Sequence, residues 1–337
     1  MPDGSHAVRA GEAVILSPGL SQSFAIADVL QRNDPSLRVL GYPLPGERVP
    51  PRRPFARYLT VEEGEAACRD GTAIATGSDA MQHVLKEREA IRLGEIAFER
   101  RNLWFYDKVA TLNRARELDI PVPRTWHSVE EANGHRGPVF LKPAREGTGG
   151  LRRRLDSLRA VPAPARDGGY LLQEVIEGAS VIGFGFLADR GKIVASCLHH
   201  ELFSFPPDGG SAVAVERYES PRVEELAARL IADFQYTGWG LVEFKPCARR
   251  DDFVLMELNA KFWASFEFTL RTNPLFPRLL LGVETVAEPI GRIIWPARLL
   301  RSGIARCPAG LMRSAPATRS REGLNWRDWA RAVFPGH

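Results

Sequence analysis

Lysine is scarce in this chain. Of 45 basic residues only six are Lys (Lys86, Lys108, Lys142, Lys192, Lys245 and Lys261), and the rest are Arg. Cysteine is scarce too. Cys68, Cys197, Cys247 and Cys307 stand far apart with no C-x-x-C spacing, which argues against a disulfide frame or a zinc site and makes a reducing cytoplasm the expected home. No apolar run approaches the ~18 residues a membrane span needs. The first 20 residues lack the basic-then-apolar layout of a signal peptide, so neither a transmembrane segment nor a leader is expected. A G-x-x-x-x-G-K-[ST] loop is missing, which excludes a P-loop nucleotidase. A strand-borne G-x-G-x-x-G, an H-E-x-x-H and a G-x-S-x-G are missing as well.

What is present is ordinary globular material. The 337 residues amount to about two domains at roughly 150 residues each. Hydrophobic residues make up 44% and charged residues 26%, which excludes a disordered or collagen-like chain. The net charge is +4, unevenly spread. Residues 289–337 carry nine Arg against Glu322 and Asp328, and the remainder is therefore slightly acidic. Such a basic tail is a candidate for docking an acidic partner or surface. The competing reading is a helical cap with packed Trp295, Trp326 and Trp329 and snorkelling arginines. The Lys scarcity is more telling. A surviving Lys marks a place where a compact point charge suits better than a flat fork, as on a phosphate.

Strand-like runs at residues 12–17, 37–42, 57–61 and 72–76 alternate with helical spacing at 22–33 and 61–69, which predicts a parallel sheet with crossover helices. Ser78 and Asp79 follow a strand, where they could touch a substrate or, more ordinarily, cap a helix starting at Ala80. A helix is expected over 106–118, ended by Pro121 and Pro123. Strands are expected over 138–142 and 170–175, a hairpin over 181–197, an amphipathic helix over 221–234, and strands over 239–245 and 253–257. Adjacent strand residues face opposite ways, so His199 and His200 cannot share one metal ion.

Three segments carry chemistry. Glu257 and Asn259 project to one face of a strand, and Glu243 on a neighbouring strand can join them. Set among Leu241, Val242, Phe244, Val254, Leu255 and Met256, two carboxylates are costly to bury unpaired. A hard cation relieves that cost, and oxygen ligands of this kind suit Mg²⁺ held together with substrate phosphates. Lys142, at a strand end, runs into the Gly-rich residues 146–150, whose backbone can close around phosphate oxygens. Residues 173–178 (QEVIEG) form a strand end whose open backbone can pair with an adenine edge.

The order Asp107-Lys108, Lys142-Pro143 with its Gly loop, QEVIEG, VEFK and ELNAKFW resembles the ATP-grasp superfamily, in its carboxylate–amine ligase branch, over roughly residues 13–282. The resemblance implies an ATP-grasp fold, mixing α/β and α+β architecture. A small Rossmann-like parallel-sheet domain (1–105) would come first, then a lid subdomain (106–178), a metal-bearing subdomain (179–288) and a basic helical tail (289–337). It implies ATP on Lys108, Lys142 and the loop Gly147, Thr148, Gly149 and Gly150, with Gln173, Glu174, Val175, Ile176 and Glu177 around the base. Mg²⁺ would sit on Glu243, Glu257 and Asn259. Lys261 and Lys142 would be catalytic, Lys261 neutralising an acyl phosphate or the acid substrate. Two departures stand out. The family's ribose-binding acid falls near Ser180, which leaves that contact to Glu177. The family's Arg is Lys261, which cannot clamp an oxyanion bidentately.

The expected activity is ATP-dependent joining of a small-molecule carboxylate to an amine through an acyl phosphate. A lid must keep water out, and residues 147–150 and 199–210 are the candidates for the lid and the acid site. Phe203, Phe205, Trp263, Phe266 and Arg271 are candidates for the acid or amine pocket. The alternatives are a kinase or carboxylase of the same superfamily, or a non-catalytic nucleotide-binding module. No nucleic-acid partner is expected, and a homodimer is the base-rate expectation.

Overall fold

The computed structural model describes residues 8–9, 11–47, 54–147, 150–165, 169–177, 180–206, 209–302 and 317–322. Thr148, Gly149, Trp326 and Trp329 lie outside them.

The chain opens with a sheet of five short strands: β1 (Val8–Arg9), β2 (Glu12–Leu16), β3 (Arg38–Tyr42), β4 (Arg57–Tyr58) and β5 (Ala73–Ile74). β2 pairs in parallel with β3 and β5, and β3 with β4. Helix α1 (Ser21–Asn33) joins β2 to β3, α2 (Val61–Asp70) joins β4 to β5, and α3 (Ser78–Leu85) follows β5. This is the expected strand–helix alternation. α2 shows why it forms where it does: Thr60 and Glu63 make a reciprocal capping box, and Gly71 ends the helix in the left-handed conformation. The expectation for α3 is corrected. Its cap is Gly77, with no side-chain cap bond, so neither Ser78 nor Asp79 caps it.

A hairpin of β6 (Ala90–Leu93) and β7 (Ile96–Glu99) and a 3₁₀ turn lead to α4 (Lys108–Glu117). Asp107 caps α4 by accepting from the Ala110 N–H at 3.0 Å. A second, antiparallel sheet follows, built from β8 (Thr125–Trp126), β9 (Val139–Pro143), β10 (Arg153–Leu155) and β11 (Tyr170–Glu174) in the order β10-β9-β11-β8.

The largest sheet has seven strands: β12 (Ile182–Asp189), β13 (Lys192–Phe205), β14 (Ser211–Arg217), β15 (Gly238–Cys247), β16 (Asp252–Asn259), β17 (Arg292–Ile294) and β18 (Thr318–Arg319). Their order is β16-β15-β12-β13-β14-β17-β18. β13 runs through 205, so much of the segment expected as a lid, 199–210, is strand. Helix α5 (Pro221–Asp233), capped by Ser220, packs its apolar side on β12 and β13. α6 (Phe266–Thr272), α7 (Leu275–Leu281) and α8 (Pro296–Ser302) follow. The described part of the basic tail thus holds one helix and two strands. Arg298 there stacks over Trp295, 4.6 Å from the ring centroid. No helix among the described residues is long and apolar enough to cross a membrane.

The central strand β12 reads I-G-F-G-F. Phe184 and Phe186 fill the main core, while Gly183 and Gly185 leave the other face bare. A Cβ on Gly183 would sit 2.5 Å from the His199 ring, and one on Gly185 would sit 2.3 Å from the Trp263 ring. Both rings lie where a side chain would otherwise stand. Gly185→Ala is therefore expected to cost about 1–3 kcal/mol through overpacking, read as a lower urea midpoint. Gly291→Ala, with open space around its Cβ, is the neutral control.

Candidate functional site

A cleft of about 630 Å³ separates the four-stranded sheet from the seven-stranded one, with the first domain at one end through Leu20 and Gln22. Pairing in the large sheet places the acidic residues. Gly183 lies opposite His199 on one side and Glu243 on the other, and Glu243 lies opposite Glu257. Asn259 lies two pairs further on, opposite Leu241. Glu243, Glu257 and Asn259 therefore meet on one face. The Asn259 amide donates to Glu243 Oε1 at 3.1 Å and to Glu257 Oε1 at 3.2 Å.

Four of the six lysines line this cleft: Lys108, Lys142, Lys245 and Lys261. Lys86 and Lys192 are exposed elsewhere. Lys108 is buried at the first turn of α4 and reaches Glu257 Oε2 at 2.5 Å. Lys142 crosses from β9 to donate to the Met256 carbonyl at 3.1 Å, with Glu257 at 3.7 Å. Lys261 follows β16 and pairs with Glu146.

Sequence reasoning missed Glu146 as a site residue. The backbone puts it there: Lys108 N–H donates to the Ala144 carbonyl at 3.0 Å, and Glu146 N–H to the Tyr106 carbonyl at 2.9 Å. Its carboxylate then lies between Lys261, Lys108 at 3.1 Å and Arg152 at 3.5 Å. The clue in the sequence was an acid inside a loop otherwise suited to anions.

Burial and neighbours set the charges. Burial alone would raise the Glu257 carboxyl, but Lys108 and Lys142 outweigh it and hold the group far below its usual range. Glu146 is likewise held down by Lys261 and Lys108 against its burial. Burial pushes Lys142 down to about 8, opposed by the attraction of Glu257 and reinforced by a smaller repulsion from Lys108. Lys108 and Lys142 act on Glu243 less strongly. Burial, then Glu257 and Glu201, push it up to about 8. Glu201, also on the cleft wall, is raised to about 7 by burial.

The donor set can be tested against a metal. Among the described residues no group of three or more His, Cys, Asp or Glu could hold one. Two carboxylates and one amide nevertheless fit an oxygen-seeking cation that keeps water and phosphate as its other ligands. Glu243, buried and repelled by Glu257, is where added positive charge is most favourable. Turning the Asn259 amide over would present its oxygen in place of its NH₂.

Glu174, Val175, Ile176 and Glu177 line the cleft, and 175–177 run outside any strand. Glu174 is an ionic clasp between the sheets, pairing with Arg250 and with Arg249 at 3.7 Å. Glu177 is paired with Arg154 at 3.0 Å. Gln173 is not in the cleft. It points the other way along β11, fully buried, and donates to Thr125 Oγ1 at 3.0 Å. Gly147 and Gly150 have positive φ, of 78° and 97°, but Gly147 backs onto Asp79 and Gln82, and neither glycine lines the cleft. Ser180 lines it and bonds His200 Nε2 at 2.7 Å. His199 and His200 do face opposite ways, since His200 pairs with Glu216 while His199 meets Ser265. Phe203 and Trp263 line the cleft. Phe205 and Phe266 do not, Phe266 being core, and Arg271 is spent on Glu267 and Glu288.

This is the ATP-grasp fold, preceded by a parallel-sheet domain. By sequence, no family model and no curated protein matches. By structure, the chain is similar to L-amino acid ligase from Bacillus licheniformis (TM-score 0.56, 12% identity, covering 82% of this chain and 73% of that one). It is similar to phosphoribosylamine–glycine ligase from Thermotoga maritima (TM-score 0.59, 15% identity, 83% and 78%). It is also similar to N5-carboxyaminoimidazole synthetase from Staphylococcus aureus complexed with ADP (TM-score 0.59, 9% identity, 83% and 79%).

Two expectations follow from the charges. Between about pH 4.5 and 8 the native state holds a proton on Glu243 that the unfolded chain releases. The native state then binds more protons, so stability falls as pH rises through that window. Glu243→Gln should flatten the slope, and Mg²⁺ should raise the melting temperature more at pH 8 than at pH 6. Glu146→Ala frees Lys108 and Lys261, so inorganic triphosphate should bind several-fold more tightly by calorimetry.

Proposed function

We propose that the chain is an ATP-dependent ligase that joins a carboxylate to an amine through an acyl phosphate, releasing ADP and phosphate. The observation that carries this reading is the convergence of Lys108 and Lys142 on the Glu257 carboxylate, with Glu243 across the strand pair and Lys261 on Glu146, in one cleft between two sheets. Three ammonium groups and two acids, two of them buried and three half-buried, make a poor core and a good place for a polyanion that brings its own cation. The structural neighbours support the class, two being named as ligases and a third having been solved with ADP.

In this reading the base of ATP lies along 174–177, with Ile176 beneath it and Glu177 at the ribose. Lys108 and Lys142 bind the phosphates. Glu146 must leave its lysines as the phosphates arrive. Lys142, with a pKa near 8, gains a partner that holds it charged. Glu243, Glu257 and Asn259 would hold Mg²⁺, which when bound would screen phosphate charge and help stabilise the transferring group. Lys261 stands next to that point, where it neutralises the acid substrate and then the charge on its activated form. No side chain serves as a nucleophile. Catalysis is positioning plus electrostatics.

Incubation with ATP, Mg²⁺, pooled carboxylic acids and hydroxylamine tests this. A hydroxamate with matching ADP is expected, and ATP binding without turnover would favour a nucleotide-binding module. Glu257→Gln keeps the shape and removes the charge, so it should lower turnover by about 100-fold or more with an unchanged fold by circular dichroism. Near-normal turnover in that variant sinks the assignment.

A further inference from the structure

Ser265 lines the cleft four residues after Lys261, just before α6. A Ser at that place normally turns its hydroxyl to a free amide of the first helical turn. Ser265 makes no such bond, and the Phe268 N–H goes to its backbone carbonyl at 3.0 Å instead. The hydroxyl meets His199 Nε2 at 3.0 Å. His199 is fully buried, and its Nδ1 has no partner among the described residues.

That orphan nitrogen decides the tautomer. A proton on Nδ1 would leave a buried N–H donor unsatisfied, which is rarer and costlier than an unsatisfied acceptor. The proton therefore sits on Nε2 and is donated to Ser265 Oγ. The Ser265 O–H is left over as a donor, and the open side of Ser265 is the cleft. Burial keeps the imidazole neutral, its pKa pushed down to about 4 with a smaller contribution from His200. Gly183 makes room for the ring, since any Cβ there would strike it. Histidine, glycine and serine thus fix one hydroxyl.

Lys261 supplies the other half. Its ammonium already holds a carboxylate, that of Glu146. A Lys offers charge without a fork, so a carboxylate bound there needs a second donor from elsewhere. We propose that Lys261 and Ser265 together form the subsite for the carboxylate of the acid substrate, with His199 as the positioning residue that aims the Ser265 hydroxyl. This rests on the ligase reading of the cleft. Lys261 gives the charge, and Ser265 gives the directed hydrogen bond that a single ammonium cannot.

Two measurements test it. In the hydroxamate assay, Ser265→Ala should raise KM for the best acid of the pool about 10- to 100-fold and leave KM for ATP unchanged, with Ser265→Thr restoring part of the loss. An unchanged KM for the acid, or equal rises for acid and ATP, overturns the subsite. Independently of turnover, nitrogen-15 NMR of the full chain should show the Nε2–H tautomer at His199, with a saturable shift on titration with acetate that Ser265→Ala abolishes. An Nδ1–H tautomer, or a shift unaffected by Ser265→Ala, also overturns it. The two readings fail differently. Acetate binding that depends on Ser265 without any hydroxamate removes the ligase and keeps the subsite, whereas hydroxamate formation insensitive to Ser265 does the reverse.

Discussion

The cleft is governed by one constraint: charges removed from water must neutralise one another. Lys108 and Lys142 are buried to 4% and 5% exposure. Each charge alone would be expelled or neutralised at such a depth. They persist because Glu257 and Glu146 lie among them. The balance is local and incomplete. Glu257 is stabilised as an anion, whereas Glu243, directly across the strand pair, is destabilised as one. Two carboxylates on one face thus sit at opposite ends of the titration scale, an asymmetry that a divalent cation would remove.

The backbone makes this network possible by leaving space. β12 is the middle strand of the site, yet on the cleft face it presents Gly183 and Gly185. Larger residues there would strike the rings of His199 and Trp263. The ring of His199 leans over from one side and that of Trp263 from the other. Phe184 and Phe186, on the opposite face, restore the packing that the glycines forgo. One four-residue alternation therefore supports the core and clears the site together.

Much of this was legible in the sequence, and the reason is that chain order survives folding. The strands carrying Glu243 and Glu257, the capped start of α4 at Lys108 and the lysine ending β9 are local features, each with a local signature. What stayed hidden depends on long-range pairing. Glu146 looked like part of a glycine loop, because only the pairing of 144–146 with 106–108 shows that its side chain reaches two lysines. Gln173 looked like a site residue because it adjoins Glu174, but adjacent strand residues face opposite ways, and the register of β11 on β9 sends Gln173 to the far side. The length of β13 was hidden by Pro206 and the flanking polar residues, which read as loop. The hydroxyl of Ser265 had no sequence signal, since its partner lies 66 positions away.

The unequal use of Lys and Arg follows from the same physics. Outside the cleft, Arg makes forked pairs with carboxylates, as Arg57 does with Glu63, Arg114 with Asp233 and Arg222 with Asp252. Those pairs are fixed, and a guanidinium keeps its charge under all ordinary conditions. On the proposed reading an incoming anion displaces an internal carboxylate, which needs cations that can turn, share partners and shed charge when left alone. Lys108 divides itself between Glu257 and Glu146, and Lys142 sits near its own titration point. A fork in either place would bind the internal acids too rigidly to release them. Scarcity of lysine elsewhere is thus the complement of its concentration here, where rearrangement is required.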